Sequence, residues 1–295
     1  MGNNNRTGRT QKTAFLLGIT LCCTNFMYSQ IAAFGEAEIK ATGTFSGGSD
    51  IEGLGASFST RQWDISTPFF FNKGDNLLLA GTFGYTLTDI DFSDSLPGQE
   101  DELLHEYKVS LLAMLDMSEK WKGLIVLAPS LASDMEDIDR DGLSYFALLA
   151  ALYQINPRFG VVFGAFQSTG YDEDRVLPAI GLRWTPSESM ELVVAGPQAS
   201  LRYKPTQSST YSIFTDIEGT RWNTISGVTE TNLRLRSFLA GLGYERKITG
   251  NFHFSLDVGA QFLREMEIKD PAGGLLMDRD LKEKPFVRTG LSYRF

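Results

Sequence analysis

Three short stretches carry side chains whose types and spacing could do chemistry. The first is His253-Phe254-Ser255. A histidine can take the proton of a serine and make it a nucleophile, provided that the two come within hydrogen-bond reach and a third polar group orients the ring. The chain has only two histidines, so base-assisted catalysis has few homes. The other, His105, follows Glu100, Asp101 and Glu102. Neighbouring carboxylates favour a charged imidazole, but spacing alone identifies no water-activating pair there. The third stretch is Asp137-Ile138-Asp139-Arg140-Asp141-Gly142, with Asp134 and Glu136 just before it. Alternate carboxylates followed by glycine suit a tight calcium-chelating turn. The twelfth position of such a loop is Leu148 rather than a bidentate acid, and no helices flank it. A plain acidic surface loop is the competing expectation. Apart from this calcium, no cofactor is expected.

The elements that must hold these residues are strands. From residue 36 onward, stretches of period-2 alternation are separated by glycine, asparagine, proline, serine and aspartate. In 252–262, Phe252, Phe254, Leu256, Val258, Ala260 and Phe262 share one parity; His253, Ser255, Asp257, Gly259 and Gln261 share the other. Residues 107–117 and 159–168 alternate in the same way. Strands of about ten residues match the ~9–11 that a tilted strand needs to cross a bilayer, whereas ordinary strands have about five or six. Connections alternate too. Short turns fall near 118–120, 155–158, 185–189 and 246–250. Longer, more acidic loops are expected near 91–104, 132–142, 168–175, 218–230 and 269–283. That asymmetry is the habit of outer-membrane barrels, in which a closed sheet satisfies every backbone group internally. The expectation is an all-β, antiparallel, up-and-down transmembrane β-barrel of 12–14 strands. The pair at 190–204, joined only by Gly196-Pro197, decides between twelve and fourteen.

The first thirty residues read as an address. Arg6, Arg9 and Lys12 precede the apolar run 14–23, and a polar stretch ends at Ser29-Gln30, the order of a secretory signal peptide. Residues 1–29 are expected to be cleaved, leaving a single domain over 30–295. Both cysteines, Cys22 and Cys23, fall in the leader. The mature chain then has no thiol for disulfides, catalysis or metal binding. The formal charge of −9 becomes −12 without the leader's three cations. So acidic a chain is no general nucleic-acid binder.

The last residues alternate as Val287, Thr289, Leu291, Tyr293 and Phe295. The pattern Arg288-x-Gly290-x-x-Tyr293-x-Phe295 resembles the assembly signal of Gram-negative outer-membrane barrels. The resemblance implies recognition of this strand by the barrel-assembly machinery. Beyond that, the chain resembles uncharacterised outer-membrane barrel families of Bacteroidota-type bacteria, through Pro178-x-x-Gly181-x-x-Trp184-x-Pro186, Pro197, Tyr203 and Gly241-x-Gly243-Tyr244. That resemblance implies a fold and a location, and no activity. The His253-x-Ser255 pair resembles the one in outer-membrane phospholipase and lipid A deacylase barrels. It departs from them in one respect: the flanking phenylalanines turn His253 and Ser255 into the lumen, whereas a lipid-cleaving serine must face the bilayer.

These readings point to an integral barrel of the cell outer membrane, in contact with lipid and lipopolysaccharide and acting as a passive channel or small-solute transporter. The alternatives are a sealed structural or surface-binding barrel with acidic loops, and an outer-membrane hydrolase using His253 and Ser255. Arg183, Arg288 and Arg294 are expected to face the lumen, either as a selectivity ring or paired inside a plugged barrel. Trp63, Trp121, Trp184 and Trp222 are expected at the membrane girdles or rims.

Overall fold

A computed structural model describes residues 37–53, 56–92, 102–136, 141–169, 173–226 and 229–295. The expected leader, 1–29, lies outside them. Among the described residues every regular element is a strand: β1 (Glu38–Asp50), β2 (Ser57–Lys73), β3 (Leu77–Phe92), β4 (Glu102–Asp116), β5 (Trp121–Ser133), β6 (Leu143–Asn156), β7 (Phe159–Ser168), β8 (Glu173–Ser187), β9 (Met190–Ala195), β10 (Gln198–Thr206), β11 (Ser209–Ser226), β12 (Thr229–Thr249), β13 (Phe252–Lys269), β14 (Leu275–Leu281) and β15 (Lys284–Arg294). Sequence neighbours pair antiparallel from β1 to β13. β15 returns to β1, from Glu38↔Arg294 to Ser46↔Phe286, and closes the sheet. β14 and β15 are two lengths of one wall strand. They meet β13 at Arg264↔Leu281 and Gln261↔Lys284, in one register. The wall therefore has fourteen strands, and the upper limit of the expected count is the observed one.

The pair at 190–204 is real. Gly196, at φ +58°, makes the two-residue turn that β9 and β10 need. Alternation places side chains as the pattern requires. On β6, Leu148 is 3% exposed and Leu149 64%; on β15, Phe286 is 2% and Leu291 56%. Outward residues are mostly apolar, as a lipid-facing wall needs. Three expected loops are corrected. β11 and β12 run through most of 218–230, β14 occupies 275–281 within 269–283, and β8 begins at Glu173 within 168–175. The first two are rich in charge, which reads as loop. Here the charges pair across strands instead: Glu218 with Arg288, and Lys282 with Asp50 at 2.7 Å.

Two features break the regular cylinder. The first is a bulge on β13. Leu263 has φ +48°, uncommon for a branched side chain. It sits opposite the break at 282–283. Gln261 is buried in the lumen, and the extra residue re-aims the strand so that Arg264, Met266 and Ile268 also point inward. At the break, Lys282 bonds Asp50 at 2.7 Å, which raises its pKa above the ordinary lysine value. The second feature is the upper part of the β11–β12 hairpin. Lower down, Tyr211, Ile213 and Leu242 face outward at 50–59% exposure. The same faces, continued upward without a register shift, carry Ile217, Arg234 and Arg236, which are 1%, 8% and 8% exposed. The hairpin has left the wall and folded inward. Its end reaches β5, which is not its wall neighbour. Asn223 bridges Ser133 in parallel, the Asp134 N–H donates to the Asn223 carbonyl at 3.2 Å, and the Ile225 N–H donates to Asp134 Oδ2 at 2.5 Å.

The inward face of this hairpin packs an apolar cluster across the end of the barrel opposite the short turns. Trp222, Leu233, Met266 and Ile268 meet Phe58, Ile90 and Leu104 there, all at most 5% exposed. Burying each such side chain contributes about 1.5–3 kcal/mol. Trp222 is therefore not a girdle residue: its ring is drawn inside with the hairpin. Trp63, Trp121 and Trp184 do face outward, at 50%, 37% and 45% exposure. A second apolar cluster, with Leu112, Leu124, Val126, Leu148 and Phe166, lies on the inner face of β3–β8.

Candidate functional site: a charged chamber inside the barrel

Beneath the apolar seal lies a chamber of about 440 Å³. It is lined from β1–β7 on one side and from β11–β15 on the other. Inward parity supplies hydroxyls and amides from one strand after another: Thr42, Thr60, Gln62, Thr86, Ser130 and Ser144. Asp64 is a hub among them. It accepts from Thr86 Oγ1 at 2.8 Å, Gln62 Nε2 at 2.9 Å and Thr42 Oγ1 at 3.2 Å. Ser130 and Ser144 share a bond of 2.7 Å.

The charge is mixed. Asp64, Glu106, Asp216 and Glu218 face Lys40, Lys108, Arg221, Arg236, Arg264 and Arg288. Lys108 pairs with Glu106 at 2.8 Å. Glu106 also accepts from Thr220 Oγ1 at 3.3 Å, which ties the folded-in hairpin to β4. Arg288 bonds Glu218, donates from Nε to Thr44 Oγ1 at 3.1 Å, and lies 4.0 Å from Asp257. Two deeper cations differ. Arg264 and Lys284 are 5% and 2% exposed, and neither has a carboxylate within bonding distance among the described residues. Arg264 donates to Ser49 Oγ and to the Lys282 carbonyl, Lys284 to Thr60 Oγ1 at 3.0 Å. Both lie against the Phe58 ring, 5.5 and 5.3 Å from its centroid, a cation–π arrangement. The bulge at Leu263 put Arg264 there, and strict alternation would have missed it.

The residues singled out from sequence are scattered. His253 Nδ1 lies 3.1 Å from the Asn251 carbonyl, and no bond joins it to Ser255 among the described residues. Ser255 stands opposite Glu245 and Gly290. His105 is bonded to the Tyr85 hydroxyl at 2.8 Å, in a row of outward rings with Tyr107; Glu100 and Asp101 lie outside the described residues. So do Asp137 and Asp139. Asp141 is described, and its carbonyl accepts from Arg221 Nη2 at 3.2 Å. The three lumen arginines are paired: Arg183 with Glu191 at 2.8 Å, Arg294 with Glu38 at 3.3 Å and Glu245 at 2.8 Å, and Arg288 as above. In the final strand, Tyr293 packs edge-on against Phe252 and Phe295, Phe295 is 63% exposed, and Gly290 lies so close to Ser255 and Thr42 that a Cβ would come within 2.7 Å of each.

An apolar exterior around a closed antiparallel sheet with a polar, charged interior defines an outer-membrane-type β-barrel. Residues 80–294 match DUF6268, a domain of unknown function, and the chain belongs to that family. No curated protein matches the chain. Solved structures similar in fold include the KdgM porin in complex with disordered oligogalacturonate (9% identity, 88% of this chain and 99% of that one, TM-score 0.39). The COG4313 outer membrane channel from Pseudomonas putida F1 (9%, 88% and 96%, 0.49) and LpxR from Salmonella typhimurium (8%, 88% and 100%, 0.36) are others. At these identities the likeness is one of fold.

Proposed function

We propose that the protein is an outer-membrane channel whose charged chamber selects a small hydrophilic or charged group on its way through the barrel. The observation that carries the reading is the chamber itself. Pores select by lining a passage with fixed charges and hydrogen-bonding groups, and here six cations, four carboxylates and a belt of hydroxyls surround about 440 Å³. The apolar cluster and the folded hairpin narrow the end opposite the short turns, so the conformation described is a restrictive one. The expected setting is the outer membrane of a Gram-negative bacterium, in contact with lipid and lipopolysaccharide, after insertion through the barrel-assembly machinery. The Pro178–Pro186 pattern supports a Bacteroidota-type source.

Planar-bilayer recording of the full chain tests this. Small, discrete conductance steps are expected, and a silent barrel that still shifts on a gel upon boiling would contradict the reading. A lipid-hydrolysis assay on His253→Ala and Ser255→Ala separates the hydrolase alternative.

A further inference from the structure

The wall is incomplete on one side. β9 ends at Ala195, opposite Gly181, and the β10–β11 ladder ends at Ala199 opposite Thr215. β8 continues above Gly181 to Glu173, and β11 above Thr215 to Ser226. Between these two lengths no ladder exists among the described residues; each is paired only on its far side, apart from the bridge of Asn223 to β5. Local chemistry finishes both edges. The Ile180 carbonyl accepts from the Gly196 N–H at 3.1 Å, so the backbone groups of residues 180, 178 and 176 point into the opening. Residue 178 is proline, which has no N–H to leave unpaired and belongs on an edge strand. On the other edge, the Ile217 N–H donates to Asp216 Oδ1 at 2.9 Å, and Asp216 also accepts from Gln198 Nε2. Thr215 Oγ1 donates to the Pro197 carbonyl at 2.9 Å, which ends the ladder at the sill.

The opening lies at lipid height. Trp184, Ile180 and Val176 face outward along β8 at 45%, 63% and 67% exposure. From Trp184 to Val176 is about 26 Å along the strand at ~3.3 Å per residue. With a tilt near 40° that is about 20 Å of height, within an apolar band of about 25 Å. Directly behind are Phe146 and Ser168 on one side and Ile217, Gly219 and Arg221 on the other, all lining the chamber. The rim is apolar, with Val176, Pro178, Ile180 and Phe238. The lining behind it carries two more cations than carboxylates, and the way past the β11–β12 hairpin is filled by the apolar cluster.

We infer that the gap between β8 and β11 is a lateral portal through which an anionic, single-tailed amphiphile passes between the chamber and the outer leaflet. The inference rests on the channel reading and supplies its substrate class: the charged lining takes the head, and the apolar rim takes the tail. A neutral or purely hydrophilic solute would gain nothing from an exit into lipid.

The test uses the full chain in lipid vesicles, with Trp63, Trp121 and Trp184 replaced by phenylalanine. Trp222, which lines the chamber, is then the only reporter. The probes are 11-bromoundecanoate and bromoacetate, whose bromine quenches an indole on contact. Saturable quenching by 11-bromoundecanoate is expected, at concentrations at least about tenfold below those at which bromoacetate acts. Equal quenching by both, or none by either, overturns the portal, and persisting conductance would then leave the channel reading standing. Saturable quenching without conductance would instead remove the channel and keep the portal. A second measurement places nitroxides at Ile180→Cys and Ile217→Cys, with Cys22 and Cys23 as serine. The expected backbone separation is at least about 14 Å, three strand spacings of ~4.8 Å. A separation of one spacing would mean that β8 and β11 zip together in lipid, and would overturn the proposal.

Discussion

β9 and β10 have six and nine residues; β11 and β12, next to them in the wall, have eighteen and twenty-one. The short hairpin stops in the middle of the apolar band and leaves an edge above it. The long one overshoots, loses its neighbour at Thr215, and bends across the interior to β5. The contrast teaches that strand length, and not alternation alone, decides what a barrel encloses. A wall neighbour that ends early frees the next hairpin to turn inward, and the free hairpin then supplies the seal, one wall of the chamber and one side of the portal.

The contrast can be broken most drastically by removing the long hairpin. Joining Ile217 to Phe238 through Asn-Gly deletes Trp222 and Leu233 and opens the sealed end. Single-channel conductance should rise at least about fivefold, since a packed constriction no longer limits the passage; an unchanged conductance would mean that the hairpin seals nothing. Next in size is Glu218→Gln, which leaves Arg288 without its closest carboxylate. Removing one partner of this partly buried pair costs about 3 kcal/mol, the low end of what a fully buried pair loses, read as a lower urea midpoint for folding into vesicles. Leu233→Ala should cost about 3 kcal/mol, because the seal cannot collapse around the cavity; the same change at outward Leu242 should cost much less. A smaller effect is expected from Asp134→Asn. It weakens the bond from the Ile225 N–H by about 1 kcal/mol, and faster hydrogen exchange at residues 223–225, with other strands unchanged, is the readout.

Much of the wall was legible in the sequence. The period-2 runs around Phe252–Phe262 and Val287–Phe295 place strands and lipid faces correctly, because lipid on one side and solvent or protein on the other punish any slip of parity. The upper arm of β11 was not. Glu218 and Arg221 have the composition of an extracellular loop, and only their bonds to Arg288 and Asp141 and the bridge to the β5 end hold them in a strand. Trp222 looked like a rim aromatic for the same reason. Arg264 was hidden by the bulge at Leu263, which changes parity at a residue that nothing in the sequence marks. The chamber brings together residues from eleven wall strands, a set that depends on closure and on the inward fold of one hairpin. The histidine–serine pair was legible as a spacing but not as a site, because its partners are set by neighbouring strands.

The inward departure of β11 is the claim on which seal, chamber and portal all depend. A nitroxide scan at residues 211, 213, 215, 217, 219 and 221 of the protein in lipid vesicles measures it directly, by accessibility to oxygen from the bilayer. The account predicts high oxygen accessibility at 211 and 213, and a sharp loss from 217 onward. Oxygen accessibility that stayed high through 221 would show the hairpin still in the wall, and would contradict it.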